Sequence, residues 1–404
     1  MRLLVCLPCL VLVGCCTIEG EAPAQVPDGA LRCCVSEPFH FLMEKNLDNT
    51  RTRFEHYKDL GVGVIRSHAF PASPSPSAAY DQLMKEYDFR IKMILCALPK
   101  EEEYQLVDQN GARSRNAVSY WHPDVRGIVR QNTIRTLDSL KDAGLMDHID
   151  YVIPSLGPAG EALYPHPWTT GLPEATFWCY DRYAQEDFRE SMQRKYKAVG
   201  DANHAWSTQF RSWSDVRVLP PGEQPGPYWR DVLTWYRDTK REFVRWGIDM
   251  LQGLCDKRVL LYVPGVRFSQ DQWEEAVRTG KGNVWIKIMV DHEFLIDIAA
   301  EKGCWLQYTG VDNVDDAAYI AQYIRDKGYN GVRVMGENAG NFDFARDPVR
   351  LAETVITNGY VGLDFTHSHF MFEEDGITPN SVFPKLREAF EMIRAADIPG
   401  SGQR

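Results

Sequence analysis

The chain has 404 residues, of which 44% are hydrophobic and 25% charged, and its formal net charge is −11 at pH 7. This length is ample for one large core and is normal for a barrel of alternating strands and helices. The acidic balance and the even scatter of Lys and Arg argue against a nucleic-acid partner, because such binding needs a basic face. A neutral ligand fits better.

The first residues follow the pattern of a bacterial lipoprotein signal. Arg2 gives a basic start, a short apolar run follows, and Leu12-Val-Gly-Cys15 ends the segment. The run is shorter than the roughly 20 residues of a membrane-spanning helix, and small Gly14 before Cys15 fits a processing site. We predict a signal over residues 1–15, lipid on Cys15, a tether over 16–28 and a place in the cell envelope, periplasmic or on the surface. A plain cleaved signal or an uncleaved anchor is the alternative.

The cysteines favour neither a disulfide framework nor a metal site. Of ten cysteines, Cys6 and Cys9 leave with the signal, Cys15 takes the lipid, and most of the others sit singly in apolar segments, where a thiol is usually a small buried hydrophobe. None of the pairs has a second half at zinc-ligand spacing. We expect no metal and no cofactor.

Short apolar runs alternate with longer amphipathic segments from Leu31 onward, which is typical of repeated βα units around a parallel sheet. The predicted strands are Leu31–Ser36, Val62–Ser67, Ile91–Cys96, Ile149–Ser155, Arg258–Pro264, Cys304–Thr309, Gly331–Gly336 and Tyr360–Phe365. The predicted helices include Asp124–Ala143, Asp181–Tyr196, Asp231–Cys255, Val314–Lys327, Pro348–Asn358 and Val382–Ala395.

Eight such units are what a closed barrel requires, whereas an open doubly wound sheet would usually carry a glycine-rich phosphate loop after its first strand. We find no such loop. The sequence therefore predicts an α/β protein, a single (β/α)8 TIM barrel over residues 29–404. A long insertion, from Gly157 to about Arg230, follows strand four and is rich in Pro, Trp and Tyr. It suits a substrate-facing loop.

Two glutamates stand at predicted strand exits. Glu161 follows strand four and Glu337 ends strand seven, each directly after a glycine. Reacting groups of such barrels hang from the carboxyl ends of the strands. Hydrolysis of a glycosidic bond needs two carboxyl groups, one protonated and one ionised. The pair predicts a glycoside hydrolase, although either glutamate alone would more often be a solvated loop residue.

The segment around Glu161 resembles a known family. Leu156-Gly-Pro-Ala-Gly-Glu-Ala-Leu-Tyr-Pro165 resembles the acid-bearing segment of the β-amylases, glycoside hydrolase family 14, with two differences in ten positions. The resemblance continues through Cys179–Phe188 and Leu233–Tyr236 and reaches Gly336-Glu-Asn-Ala339. Clear matches run from about Ile149 to Asp343.

The resemblance implies an inverting hydrolase acting on a poly- or oligosaccharide, with Glu161 as general acid and Glu337 as general base. It implies that Asn338 and Ala339 line the sugar site and that Thr309 lies beside the acid. Tyr164, within the matched segment, is counted with these sugar contacts.

The first third departs from the family. β-Amylases end strand two with an aspartate, strand three with a histidine, and carry a mobile glycine-rich loop; here Arg66 and His68 follow strand two, and no such loop is evident. The family's lysine and histidine after strand five appear as Tyr262 and Arg267. Because guanidinium groups favour carboxylate or sulfate partners, we hypothesise altered sugar subsites and an acidic or modified glycan.

Other candidate contacts lie in the last strand exit and the insertion. His367 and His369 follow strand eight and would lie on one side of an extended segment. A metal pair is the alternative, but no third ligand is evident at metal spacing. We therefore expect one histidine, with His367 the candidate, to donate a hydrogen bond to sugar and the other to pack. Six tryptophans lie in or beside the long loops, and one or two are expected to stack on substrate: Trp121, Trp168, Trp178, Trp206, Trp213 and Trp229.

Two alternatives stay open. A retaining hydrolase, such as a β-galactosidase-like enzyme, would use Glu337 as nucleophile and would hold the carboxyl groups closer together. A non-catalytic glycan-binding lipoprotein would keep the barrel without turnover. The sequence names neither the sugar nor the linkage, nor the oligomeric state.

Overall fold

A computed structural model describes residues 32–38, 41, 45–70, 78–340 and 342–396. The predicted signal, Cys15 and the tether lie outside the described residues. Within these ranges, no helix combines the length and the apolarity that crossing a membrane requires.

Eight parallel strands close into a barrel in the order β1-β2-β3-β6-β7-β8-β9-β10. The strands are β1 Cys33–Ser36, β2 Val64–Ala69, β3 Arg90–Leu95, β4 Gln105–Val107, β5 Arg113–Val118, β6 Ile149–Ile153, β7 Arg258–Val263, β8 Trp305–Tyr308, β9 Val334–Glu337 and β10 Gly362–Thr366. Each of the eight predicted strands overlaps one barrel strand. The predicted TIM barrel is confirmed.

The helices pack around this barrel. They are α1 Leu47–Leu60, α2 Ala78–Glu86, α3 Val125–Asp142, α4 Pro167–Thr170, α5 Arg182–Tyr196, α6 Val199–Trp206, α7 Pro227–Gln252, α8 Gln270–Thr279, α9 Val284–Ile288, α10 His292–Lys302, α11 Val314–Asp326, α12 Phe342–Ala345, α13 Pro348–Thr357 and α14 Val382–Ala395. Asp347 accepts a hydrogen bond from Arg350 N at the start of α13, as expected of a capping residue before a proline.

The barrel interior is apolar at one level and charged at the next. Its apolar level is a separate cluster of buried side chains: Cys34, Val64, Ile94, Tyr151, Ile153, Leu260, Tyr262 and Met335. Parallel pairing sets Arg66 of β2 beside Lys92 of β3, and Glu337 of β9 beside Asp364 of β10. Because paired residues in neighbouring strands point to the same face, the register places these four charges together.

Two excursions cover the carboxyl ends of the strands. After β3 the chain forms the antiparallel hairpin β4–β5, which the sequence analysis did not predict. After β6 comes the predicted insertion, which carries α4, α5 and α6 rather than being irregular throughout. The two are joined, since Asn116 Nδ2 of β5 donates to Thr169 O of α4 at 2.7 Å.

Candidate active site

The loop that carries Glu161 is packed too closely for larger residues. A Cβ at Gly157 would lie 2.5 Å from Leu163 O and 2.6 Å from Glu161 O. Gly160 has φ +82°, and a Cβ there would lie 2.9 Å from Ile153 Cγ2. Both positions therefore require glycine, and the Gly-Pro-Ala-Gly motif folds back tightly so that Glu161 stands at the mouth.

Lys240 of α7 holds this loop from behind. Its Nζ donates to Leu156 O at 2.6 Å, to Leu163 O at 3.1 Å and to Tyr120 Oη at 2.8 Å. The residue is 3% exposed, and burial lowers its pKa well below the usual value. Because its two carbonyl partners flank Glu161, Lys240 fixes both ends of the segment. Nothing in the sequence had singled it out.

Glu161 is a carboxyl group adapted to hold a proton. Its side chain is 16% exposed, and burial raises its pKa to about 7; a hydrogen bond from Thr309 opposes the rise, and the charge of Glu337 adds to it. Thr309 Oγ1 donates to Oε1 at 3.1 Å. His166 Nε2 lies 3.9 Å from Oε2, and burial lowers the pKa of His166 to about 4, so this imidazole is neutral at pH 7.

Glu337 lies in the opposite electrostatic setting. Its Oε1 faces Arg66 Nη1 at 3.0 Å and accepts a hydrogen bond from Thr366 Oγ1 at 2.7 Å. Its Oε2 accepts from Gln307 Nε2. The side chain is 5% exposed. One buried cation, Arg66, and two neutral donors, Thr366 and Gln307, thus contact this carboxylate.

Behind Glu337 lies a second ion pair that the sequence analysis missed. Lys92 Nζ contacts Asp364, and both residues are fully buried. Burial acts against ionisation of Asp364, but Lys92, Arg66 and Ser36 together outweigh it and lower its pKa. Gln307 joins the pairs: its Oε1 accepts from Lys92 at 2.6 Å, and its Nε2 reaches Asp364 at 3.0 Å as well as Glu337.

Three further predicted contacts lie near this pair. Tyr262 is 2% exposed, and burial raises its pKa to about 12. Burial, together with Arg66 and His367, lowers the pKa of His68 to about 3. His367 lies beside Gly340, whose Cβ, if present, would be 3.1 Å from His367 Nε2. The imidazole ring of His367 stacks on that of His369.

The positive charge that suggested an acidic glycan is already neutralised. Arg66 pairs with Glu337. Arg267 Nε lies 3.3 Å from Asp316, and its guanidinium stacks on Tyr319. Each cation therefore already has a carboxylate neighbour within the chain, and the acidic glycan stays a hypothesis.

Two of the predicted sugar contacts are buried and bonded within the chain. Tyr164 is completely buried, stacks on Tyr236 and donates to Tyr236 O at 2.9 Å. Asn338 is 1% exposed, and its amide is engaged with the main chain of Thr366 on both sides. Both residues position the site from within. Ala339 is half-buried, and its N–H donates to Asp312 at 2.7 Å.

The tryptophans separate by exposure. Trp178, Trp206 and Trp229 are fully buried, and Trp121 and Trp213 are partly buried against the core. Trp168 differs from them, because it is 76% exposed. Among the described residues, no group of three or more His, Cys, Asp or Glu side chains could hold a metal ion.

This geometry can be compared with known proteins. The sequence profile described as glycosyl hydrolase family 14 matches residues 92–259, which include Glu161. The chain is a glycoside hydrolase that resembles the β-amylases. The match begins within β3, earlier than the motifs predicted, and does not include Glu337. For this hydrolase, no curated protein sequence is significantly similar.

Solved structures agree on the barrel. The catalytic domain of a β-amylase from Paenibacillus polymyxa superposes with a TM-score of 0.73 at 18% identity, over 89% of this chain and 97% of that chain. A catalytic mutant of Gan42B, a GH42 β-galactosidase from G. stearothermophilus, gives 0.59 at 12% identity, over 90% of this chain. The hydrolase spans 57% of the length of that β-galactosidase. At these identities the likeness shows the fold.

Proposed function

We propose that this protein hydrolyses O-glycosidic bonds with inversion, with Glu161 as general acid and Glu337 as general base. The observation that carries the proposal is the contrast between the two carboxyl groups. Glu161, with a pKa raised to about 7, keeps a proton near neutrality, whereas Glu337 is paired with Arg66. Opposite environments for two carboxyl groups are how a glycosidase assigns its acid and its base.

The reaction divides between them. Glu161 gives its proton to the glycosidic oxygen as the bond to the anomeric carbon breaks, and the leaving sugar departs as an alcohol. Glu337 takes a proton from a water molecule, whose oxygen attacks the anomeric carbon from the opposite face. Thr309 holds Glu161 by its Oε1, so that Oε2 is the oxygen turned toward His166.

The hydrogen bonds of Glu337 identify its basic atom. A carboxylate oxygen has two lone-pair directions. Oε1 already accepts from Arg66 and Thr366, whereas Oε2 accepts only from Gln307 among the described residues. Oε2 is therefore the oxygen with capacity left for the attacking water.

The substrate we propose is a neutral poly- or oligosaccharide. Arg66 and Arg267 both have carboxylate partners within the chain, so neither is an unpaired cation that would favour an acidic sugar. The two similar solved structures are named for enzymes with different substrates, a β-amylase and a β-galactosidase. A test panel therefore pairs soluble starch and maltoheptaose with β-galactooligosaccharides, agarose and carrageenan.

Glu161→Gln tests the acid. This substitution keeps the size of the side chain and removes the proton, so hydrolysis of natural glycans should fall by about 100- to 10,000-fold. Hydrolysis of para-nitrophenyl glycosides should fall less, because nitrophenolate leaves without protonation. An equal loss on both substrate types would contradict the acid role.

The product anomer separates inversion from retention. NMR of the first product decides whether the configuration at the anomeric carbon changes. A retained configuration would make Glu337 a nucleophile, as in the β-galactosidase-like alternative. Binding without hydrolysis of any glycan in the panel would instead assign the protein to the non-catalytic glycan binders.

We also propose attachment to the cell envelope through lipid on Cys15. The support is the run Leu12-Val-Gly-Cys15 behind a basic start and a short apolar stretch. Metabolic labelling with a fatty-acid analogue should mark the full-length protein, and Cys15→Ser should abolish the label. Unchanged labelling of that variant would refute the attachment site.

A further inference from the structure

Trp168 is exposed to a degree that packing does not explain. Its side chain is 76% exposed, and the other large apolar residue exposed in the described part of the chain, Val314, is 40% exposed. An indole in water gains nothing for stability, because its apolar faces remain hydrated. Large flat rings held at a surface instead suit recognition.

Trp168 is connected to the acid through one side chain. The Trp168 and His166 rings lie 5.1 Å apart between centroids, and His166 Nε2 lies 3.9 Å from Glu161 Oε2. Along the insertion, the contacts lead from Glu161 through His166 to the exposed indole of Trp168. Thr309, the other partner of Glu161, lies instead at the end of β8, on the barrel side.

The element that presents Trp168 is held in place. Asn116 of the hairpin strand β5 donates to Thr169 O at 2.7 Å. Within α4, Thr169 N and Oγ1 both bond to His166 O. The indole is therefore exposed on a short helix that is fixed to the hairpin. Little conformational entropy has to be lost when a ligand stacks on it.

We propose that Trp168, with His166 beside it, forms a stacking platform for the sugar on the leaving-group side of the scissile bond. This deepens the proposed function and rests on it. The general acid stands next to the glycosidic oxygen, so side chains that lead outward from Glu161 contact the part of the glycan that departs. The ligand class is a neutral pyranose unit, bound by its apolar face.

Trp168→Ala tests the platform. We expect about a tenfold lower kcat/KM on maltoheptaose or on a β-galactooligosaccharide, whichever the protein hydrolyses, from the loss of one aromatic stack. On the glycosyl fluoride of the same sugar, kcat/KM should fall much less, because fluoride is too small to reach the indole. Trp168→Tyr keeps a ring and should retain most activity. Melting temperatures should not move, since the side chain is exposed.

A binding measurement keeps the proposal testable if turnover is absent. In the Glu161→Gln background, maltoheptaose or the β-galactooligosaccharide should quench tryptophan fluorescence, and adding Trp168→Ala should remove most of the quench. Equal activity of wild type and Trp168→Ala on the oligosaccharide would overturn the platform while leaving the hydrolase intact. No hydrolysis by wild type, with Trp168-dependent quenching, would overturn the hydrolase and the leaving-group assignment and would leave Trp168 as a sugar contact.

A membrane role for the ring is the competing outcome. Indoles also favour membrane–water interfaces. The protein without its lipid is incubated with vesicles of phosphatidylethanolamine and phosphatidylglycerol. Vesicle binding that Trp168→Ala abolishes would assign the ring to the lipid surface and overturn the proposal; absence of binding is the expected result.

Discussion

Arg66 Nη1 and Glu337 Oε1 lie 3.0 Å apart inside the barrel, with side chains 9% and 5% exposed. They come from β2 and β9, on different sides of the barrel. Taking such a pair out of water is costly, and only good geometry with further hydrogen bonds offsets the loss. Thr366 and Gln307 supply those bonds to the carboxylate, so the Glu337 side chain is held in one place.

Arg66→Met should be strongly destabilising and inactive. Removing one partner of a buried ion pair leaves the other charge uncompensated, which costs about 3–5 kcal/mol. Urea unfolding measures this free energy, and kcat/KM measures the activity. The matched control is Arg267→Met, whose pair with Asp316 is 33% exposed on the arginine side; it should cost less than half as much. Equal losses would contradict a special role for Arg66.

The alkaline limb of the pH–rate profile should report Glu161. Its pKa is raised to about 7, so the protonated fraction, and with it kcat/KM, should fall as pH rises through about 7. Thr309 donates to the ionised form and lowers this pKa. Thr309→Val should therefore move the limb to higher pH, by about one unit if the bond contributes about 1.5 kcal/mol.

Thr366→Val is the control for that measurement. Its hydroxyl bonds Glu337 and not Glu161, so the alkaline limb should stay where it is in the unaltered enzyme. A limb that moves to lower pH in Thr309→Val would show that the hydroxyl does not stabilise the Glu161 carboxylate.

Glu161→Gln should make the protein more stable at high pH. The pKa of Glu161 rises from 4.5 to about 7 on folding, so the folded state binds the proton more tightly. The stability from this proton is fully present below about pH 4.5 and is lost as pH rises to about 7, a difference of about 3 kcal/mol.

Thermal unfolding at two pH values checks this difference. The gain of Glu161→Gln over the wild type should be largest near about pH 8 and should shrink near about pH 4. A gain independent of pH would mean that the substitution acts through packing and not through the charge of Glu161.

Lys240→Met should loosen the segment that carries Glu161. Leu163 O and Tyr120 Oη lose their donor, whereas Leu156 O still accepts from Tyr120 Oη. A buried acceptor left unsatisfied costs about 1–3 kcal/mol. The loss of kcat/KM should exceed what partial unfolding alone would cause, because Leu156 O and Leu163 O flank Glu161. Lys240→Arg keeps hydrogen-bond donors but adds bulk. Its melting temperature and kcat/KM would show whether any donor suffices or whether the lysine geometry is required. Full activity in Lys240→Met would refute the positioning role.

The strands and the two glutamates were predictable for physical reasons. A barrel strand is buried on both faces and reads as a short apolar run between turn residues. Glu161 could be found because the glycines before it are required by close packing at Gly157 and by the positive φ of Gly160. In both cases the local packing requires particular residue types, and those residue types are visible in the sequence.

The charged interior could not be assigned in the same way. Lys92 stands within Arg-Ile-Lys-Met-Ile-Leu, and Asp364 within Gly-Leu-Asp-Phe-Thr. A charge in an otherwise apolar strand is a signal, but its partner lies 272 positions away and only the closed barrel shows it. The same limit explains Tyr164 and Arg267, since a matched motif does not tell whether a side chain is buried or already paired.

Glu337 has more hydrogen-bond partners in the barrel wall than Glu161 has. One connected polar cluster around Glu337 joins four other strands through one residue each: Arg66 of β2, Lys92 of β3, Gln307 of β8 and Asp364 of β10. A substitution of any of these four residues should therefore change the position or the hydrogen bonds of Glu337. The helix α4 contributes no charged residue to that cluster. Substitutions in α4 could therefore change which sugar is bound while leaving the environment of Glu337 unchanged.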